Sequence, residues 1–151
     1  MPLEIKDTVD EKLRALATKV DAAPNIAEVF FTGGDRTPRE QMVIAMVQRS
    51  KKRDPWFLST IQRKNIKRMM DRTVKAMAAG QTIDPSIALR QVARFIAAVF
   101  VDNINKGRSR GGVALAPDTP GVAKRKMAKL GHSKPLIDTG SLRDSISSRI
   151  K

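Results

Sequence analysis

SIALRQVARFIAAVFVDNI, residues 86–104, decides the fold. Ile87, Val92, Phe95, Ile96, Val99, Phe100 and Ile104 crowd this stretch at helical spacings, which predicts the central and most buried helix of the molecule. Asp84-Pro85 supplies its start: a side-chain acceptor, then a ring already fixed at helical φ. Gly107 supplies its stop, since glycine tolerates the left-handed turn that ends many helices.

Working outward, a second helical pattern runs from Trp56 to Ala79, with Ile61, Met69, Met70, Val74 and Met77 as inward positions and Gly80 as its cap. Before it, Thr37-Pro38 reads as N-cap and first turn of a short helix through REQMVIAMVQ. IAEVFFTGG carries Val29, Phe30 and Phe31 ahead of a Gly33-Gly34 turn and predicts one short strand. Near the start, Val9, Leu13, Leu16 and Val20 form the stripe of an amphipathic helix, opened by a Thr8 and Glu11 capping-box pattern. On the other side of the central helix, RSRGGVALAPDTPG (108–121) has no periodicity and many Gly and Pro residues, so it predicts a long exposed loop. VAKRKMAKLG follows as a short basic helix, and RDSISSRIK ends the chain as a helical turn or a strand. The expected fold class is α+β, predominantly helical: long central helices with a small β element near residue 30 that the C-terminal segment can join. Residues 1–24 read as a helical extension and 25–151 as a single domain.

The chain has 151 residues and a formal net charge of +14, unevenly distributed. Residues 49–75 hold ten basic side chains against Asp54 and Asp71, and residues 106–134 hold eight against Asp118 alone. Residues 1–30 instead hold six acids against four bases. Such asymmetry favours a polyanionic neighbour, nucleic acid or the acidic face of another protein, over a merely solvated surface. There is no cysteine, which removes disulfide and thiolate chemistry and fits a protein made in a reducing cytoplasm. No apolar run approaches the ~18–20 residues that span a bilayer, and MPLEIKDTVDEKL lacks the basic and apolar regions of a secretory signal.

Asp138-Thr139-Gly140 matches the letters that carry the catalytic carboxylate of aspartic proteases. That chemistry needs two such loops inside an all-β fold, whereas here long helices precede the loop and eleven residues follow it. The loop instead reads as a capped turn that launches the last segment, with Leu142 and Ile146 facing inward. GGVALAPDTPGVAKRK superficially resembles a phosphate loop, but Gly121 is followed by Val122 rather than Lys-Ser or Lys-Thr, and Pro117 and Pro120 remove backbone donors. His132 is the sole histidine, lies in a basic turn, and reads as exposed and non-catalytic. No enzyme, no cofactor and no metal site is expected.

One longer pattern is recognisable. Leu115, Pro117 and Thr119, then Lys124 and Lys126, then Lys134-Pro135-Leu136-Ile137-Asp138-Thr139-Gly140 with Leu142, Ser145 and Ile146 resemble, without a gap, the ending of the tail-completion or neck proteins of tailed bacteriophages. That virion-morphogenesis family includes minor tail protein Z-like sequences. More weakly, EVFFTGG, Ile44-Ala45 and Asp54-Pro55-Trp56-Phe57 echo its upstream elements, with Asp54 standing where the family has arginine and Val47-Gln48-Arg49-Ser50 where it has Asn-Glu-Phe-Gly. The resemblance implies a structural protein of the virion head–tail junction, made in the host cytoplasm. It would act as a homo-oligomeric ring in contact with other neck, connector and tail proteins, with nonspecific contact to packaged DNA and no membrane.

The 108–121 loop is expected to order against a neighbouring subunit. With the matched signature this makes Arg108, Arg110, Val113, Leu115, Pro117, Lys134 and Asp138 the assembly-interface candidates. The alternative is a basic helical DNA-binding protein, with Arg63, Lys64, Lys67, Arg68 and Lys75 facing the nucleic acid at spacings of three and four.

Overall fold

The computed structural model describes residues 26–32, 36–50, 53–135 and 141–151, together with Glu11, Arg14, Ala15 and Thr18. In chain order the elements are β1 (Ala27–Phe31), α1 (Pro38–Ser50), α2 (Thr60–Ala78), α3 (Pro85–Asn105), a 3-10 turn (Arg110–Gly112), α4 (Pro120–Leu130), α5 (Ser141–Asp144) and β2 (Ile146–Ile150). The α+β, mainly helical expectation holds.

Helix α3 is central because its apolar stripe is continuous. Ala88, Val92, Val99 and Ile104 are buried along it, and it contacts both strands and α2. Its start is built as the sequence requires: the Asp84 side chain accepts from the Ser86 amide at 2.8 Å and from the Ser86 hydroxyl at 2.7 Å, with Pro85 in the first turn. Gly107 ends it at φ 62, a left-handed conformation in which a side chain is strained. Ile87 does not belong to the stripe. One residue, or roughly 100° of helix, from Ala88, it lies 53 % exposed.

The two strands pair antiparallel in the register Ala27↔Ile150 to Phe31↔Ile146, and Ile26 and Lys151 extend the ladder with two further bonds of 3.2 and 2.9 Å. This resolves the C-terminal segment as a short helix followed by a strand. Alternation along the strands gives the sheet two characters. Phe31 meets Trp56 edge-on at 5.4 Å, and Trp56 meets Phe100 of α3 at 5.6 Å, an aromatic stack that joins sheet to core. On the other face Glu28 is paired with Arg149 and Lys151, and the Arg149 guanidinium lies 4.6 Å from the Phe30 ring centre.

Helix α2 begins at Thr60, four residues later than the periodicity from Trp56 predicts. The cause is tertiary. The Asn103 side chain of α3, 3 % exposed, donates to the Pro55 and Phe57 carbonyls at 2.8 and 3.1 Å and holds that stretch extended. Ser59 then starts the helix with a complete capping box against Gln62. Met77 is buried and Met69 and Met70 are half-buried as expected, but Ile61 and Val74 are not inward: they are 72 % and 60 % exposed.

Helix α1 opens with the expected Thr37, whose amide and hydroxyl both donate to Glu40. Its inner side carries Ala45 and the fully buried Gln41, whose amide donates to the Ser141 hydroxyl of α5 at 2.8 Å. Leu142 of α5 is buried, in line with its inward assignment. The Asp138-Thr139-Gly140 turn, the Gly33-Gly34 turn and the residues of the 9–20 apolar stripe lie outside the described residues, as does the Thr8 cap.

Candidate functional site

The 108–121 segment is largely exposed, as its composition predicts, and it also has a defined backbone shape. Arg108 bridges Ala114, the Ser109 amide donates to Val113 at 2.7 Å, and the Leu115 amide donates to Gly107 at 2.7 Å. The backbone therefore closes on itself as a narrow finger that turns at Gly111 and Gly112, whose φ values of 81 and 78 need residues without a side chain. Ser109 and Leu115, both 5 % exposed, anchor its base.

Two adjacent residues from the α1–α2 connection clamp that base. The Asp54 amide donates to the Ser109 hydroxyl at 3.1 Å and its carbonyl accepts from the Arg110 amide at 3.0 Å. Its carboxylate lies 2.9 Å from Arg110 Nε and 3.7 Å from Arg49 Nε. Arg53 grips the other strand of the finger, donating to the Ala116 carbonyl at 2.8 Å and to the Pro117 carbonyl. Its Nη1 lies 2.9 Å from Asp118, whose second oxygen is 2.7 Å from Lys126 Nζ of α4. Arg53, Asp118 and Lys126 side chains are 11, 5 and 9 % exposed, so this triad is an interior ion cluster, and Lys126 also donates to the Lys134 carbonyl at 3.2 Å. Charges taken so far from water persist only when paired and hydrogen-bonded, and here each cation has a second partner.

What the clamp presents is a small exposed tip. Val113 is 61 % exposed, and the Arg110 side chain is 61 % exposed although its Nε is held by Asp54. Arg108 and Pro117 are exposed on either side. The expected interface residues thus divide. Arg108, Arg110, Val113 and Pro117 come together on the finger, while Lys134 is exposed at the far end of α4, tied in through its carbonyl. Leu115 is a correction: its side chain is buried in the chain itself and serves as the finger's anchor, not as a presented group. Asp138 lies outside the described residues. His132 is half-buried rather than exposed, with Nδ1 accepting from the Lys134 amide at 3.4 Å.

A second surface lies on α2. Arg63, Lys64, Lys67, Arg68 and Lys75 are all exposed, with Arg72 among them; helical spacing puts Lys64, Arg68 and Lys75 opposite the half-buried Ile66, Met69 and Met70, with Arg63, Lys67 and Arg72 on the flanks. Over the thirteen residues from Arg63 to Lys75 this face extends about 18 Å. Asp71 is the one acid among them, and among the described residues none of the six cations sits in an ion pair.

Sequence reasoning missed Arg53, Asp118 and Lys126 as a unit. A signal was there: Asp118 is the sole acid among eight bases between 106 and 134, and a lone counter-charge in a basic run is the one that cations can bury against. Among the described residues no helix is long and apolar enough to cross a membrane. Comparison with protein-family models, with curated proteins and with solved structures finds no match to this chain.

Proposed function

We propose that the chain is a structural, non-enzymatic protein of the head–tail junction of a tailed bacteriophage, working as a homo-oligomeric ring through protein–protein contacts. The observation that carries this reading is the clamped finger. Two aspartates and two basic side chains are spent on holding a ten-residue hairpin whose tip, Arg110 to Val113, offers a cation and an exposed apolar side chain to the outside. A rigid projecting element of this kind suits a neighbour's surface, because its ordering cost is met before binding. The finger leads into the stretch from Leu115 to Ile146 that resembles the neck proteins. On this reading its neighbours are neck, connector and tail proteins, and its place is the virion.

The experiment is electron microscopy of a lysate from the parent phage with an early nonsense codon in this gene. Filled heads beside separate tails, joined on addition of the purified protein, are the expected result. Intact infectious particles from the same lysate overturn the proposal. The variant Val113→Asp should fold normally yet fail to restore joining, since its side chain is exposed in the single chain.

A second reading, nonspecific DNA binding, is favoured by the unpaired basic face of α2. Such a face would bind duplex through phosphates, with log affinity falling by roughly 0.9 per log of salt for each phosphate engaged. Both activities are compatible in one protein, because DNA passes through a phage neck.

A further inference from the structure

The last turn of α1, the α1–α2 connection and the finger border a cavity of about 570 Å³. Its charged lining is Arg49, Asp54 and Arg110. Asp54 is the fixed point, 8 % exposed, and its Oδ2 lies 2.9 Å from Arg110 Nε and 3.7 Å from Arg49 Nε. Its Oδ1 is buried and has no hydrogen-bond partner among the described residues, so the carboxylate acts on the arginine side alone. Two guanidiniums facing one oxygen are neighbours, and both approach it by Nε. A guanidinium carries five N–H donors, four of them on its terminal nitrogens. Among the described residues no hydrogen bond or ion pair engages those terminal nitrogens in Arg49 or Arg110, and the two side chains are 66 and 61 % exposed.

Two cations against one carboxylate leave the cavity with an unbalanced positive charge, which selects an anion. The rest of the lining decides which anion. Val113, Ala114 and Ala116 bring side chains that end in methyl groups, and the Ser109 hydroxyl is already engaged by the Asp54 amide at 3.1 Å. A phosphate carries oxygens all round and would set some of them against methyl groups, at a desolvation cost. A carboxylate on a hydrocarbon stem needs donors at one end only and gains from apolar contact along the rest. The volume is that of a site for more than one side chain, so a short stretch of backbone can enter with it.

We infer that this cavity is the receptor for an acidic peptide segment of a neighbouring protein, with a glutamate carboxylate on the terminal nitrogens of Arg49 and Arg110 and its methylenes against Val113 and Ala114. This rests on the reading of the finger as a contact element and names the chemistry of what it meets. Asp54 then has two tasks. Through its backbone it holds the base of the finger, and through Oδ2 it presets the two guanidiniums, so less of their freedom is lost on binding.

The test follows the arginine Nε–H signals of the full-length chain by NMR. The probes are a blocked Ala-Ala-Glu-Ala-Ala peptide, its Ala-Ala-Gln-Ala-Ala counterpart and inorganic phosphate. The glutamate peptide should move the Arg49 and Arg110 signals to saturation, at least about tenfold more tightly than the glutamine peptide. The signals of Arg63, Arg68 and Arg72 on α2 serve as the reference for general attraction to a chain of net charge +14 and should move far less. Arg49→Gln, a change at an exposed side chain, should weaken the glutamate peptide about tenfold. Equal affinity for the two peptides, equal movement of the α2 signals, or unchanged affinity in Arg49→Gln overturns the inference. Tighter binding of phosphate at the same two arginines also overturns it and assigns the cavity to a phosphate. Joining in the lysate is scored separately. A chain that ignores the peptide yet joins heads to tails keeps the junction role without this site, whereas one that takes the peptide and fails to join keeps the site without the role.

Discussion

Replacing Asp118 with Asn tests whether the finger's base is held by buried charge. The substitution keeps the shape of the side chain and removes the one anion that, among the described residues, pairs with Arg53 and Lys126, which lie 2.9 and 2.7 Å away. Breaking a buried pair by removing one partner costs about 3–5 kcal/mol, because a charge is left in the interior uncompensated. Two features pull the figure to the low end of that range. Arg53 keeps its bonds to Gln48 and to the Ala116 and Pro117 carbonyls, and Lys126 keeps the Lys134 carbonyl. We therefore expect a loss of about 3 kcal/mol, equivalent to roughly 6–12 °C in Tm for a chain of this size. Urea unfolding measures it, as a lower midpoint at unchanged slope. Because the triad is shielded, raising salt to 0.5 M should leave the difference between wild type and variant nearly intact. A loss below ~1 kcal/mol, or one that salt abolishes, would mean that the cluster behaves as a surface pair and would refute the buried-clamp account.

Ser59→Ala removes the side-chain half of the α2 capping box, leaving the residue-59 amide to donate to Gln62, and should cost about 1 kcal/mol, read as a Tm lower by a few degrees with helix content retained once folded. The carboxyl of Glu28 is held below the usual carboxylate range by hydrogen bonds from Lys151 and Arg149, and that of Asp84 by the Ser86 hydroxyl and amide. Both groups are depressed in the folded state, so their contribution is present above the unfolded pKa and is lost as pH falls through the folded one. Stability should thus decline on acidification through and below the ordinary carboxylate range, and Lys151→Ala should move the Glu28 titration upward by NMR. If the α2 face binds duplex DNA, Lys67→Glu with Arg63→Glu should flatten the slope of log affinity against log salt by about 2, while an unchanged slope clears that face of a role.

Local chemistry carried much of the fold into view. The α3 stripe, the Asp84-Pro85 start and the glycine stops are each fixed by neighbours within a few residues, so one pass along the letters finds them. Ile61 and Val74 went astray because an apolar letter at a helical spacing does not declare which side of the cylinder is inward; that depends on where α3 lies. The start of α2 was misplaced for a similar reason: the amide that holds Pro55 and Phe57 extended belongs to Asn103, 46 residues beyond Phe57. β2 stayed ambiguous because ISSRI suits either state, and what makes it a strand is Ala27–Phe31 at the opposite end of the chain. At the candidate site the tip residues Arg110 and Val113 were legible from glycine and proline content. The inward role of Leu115 and the Arg53–Asp118–Lys126 cluster were not, since both follow from contacts between segments far apart in sequence.

The pairing of β1 with β2 has a further consequence, for the length of what lies between them. Joining Phe31 to Ile146 closes a loop of 115 residues, for which the entropy term (3/2)RT ln n is about 4 kcal/mol. That toll falls on the last closure step and should make the sheet a late event in folding. Yet the term grows only as a logarithm, so that even doubling the enclosed chain would add about 0.6 kcal/mol. Extra residues at Gly111-Gly112, where a Cβ would meet nothing within 4 Å, should therefore be nearly free of closure penalty. The finger can lengthen or shorten in evolution while the clasp that encloses it stays the same.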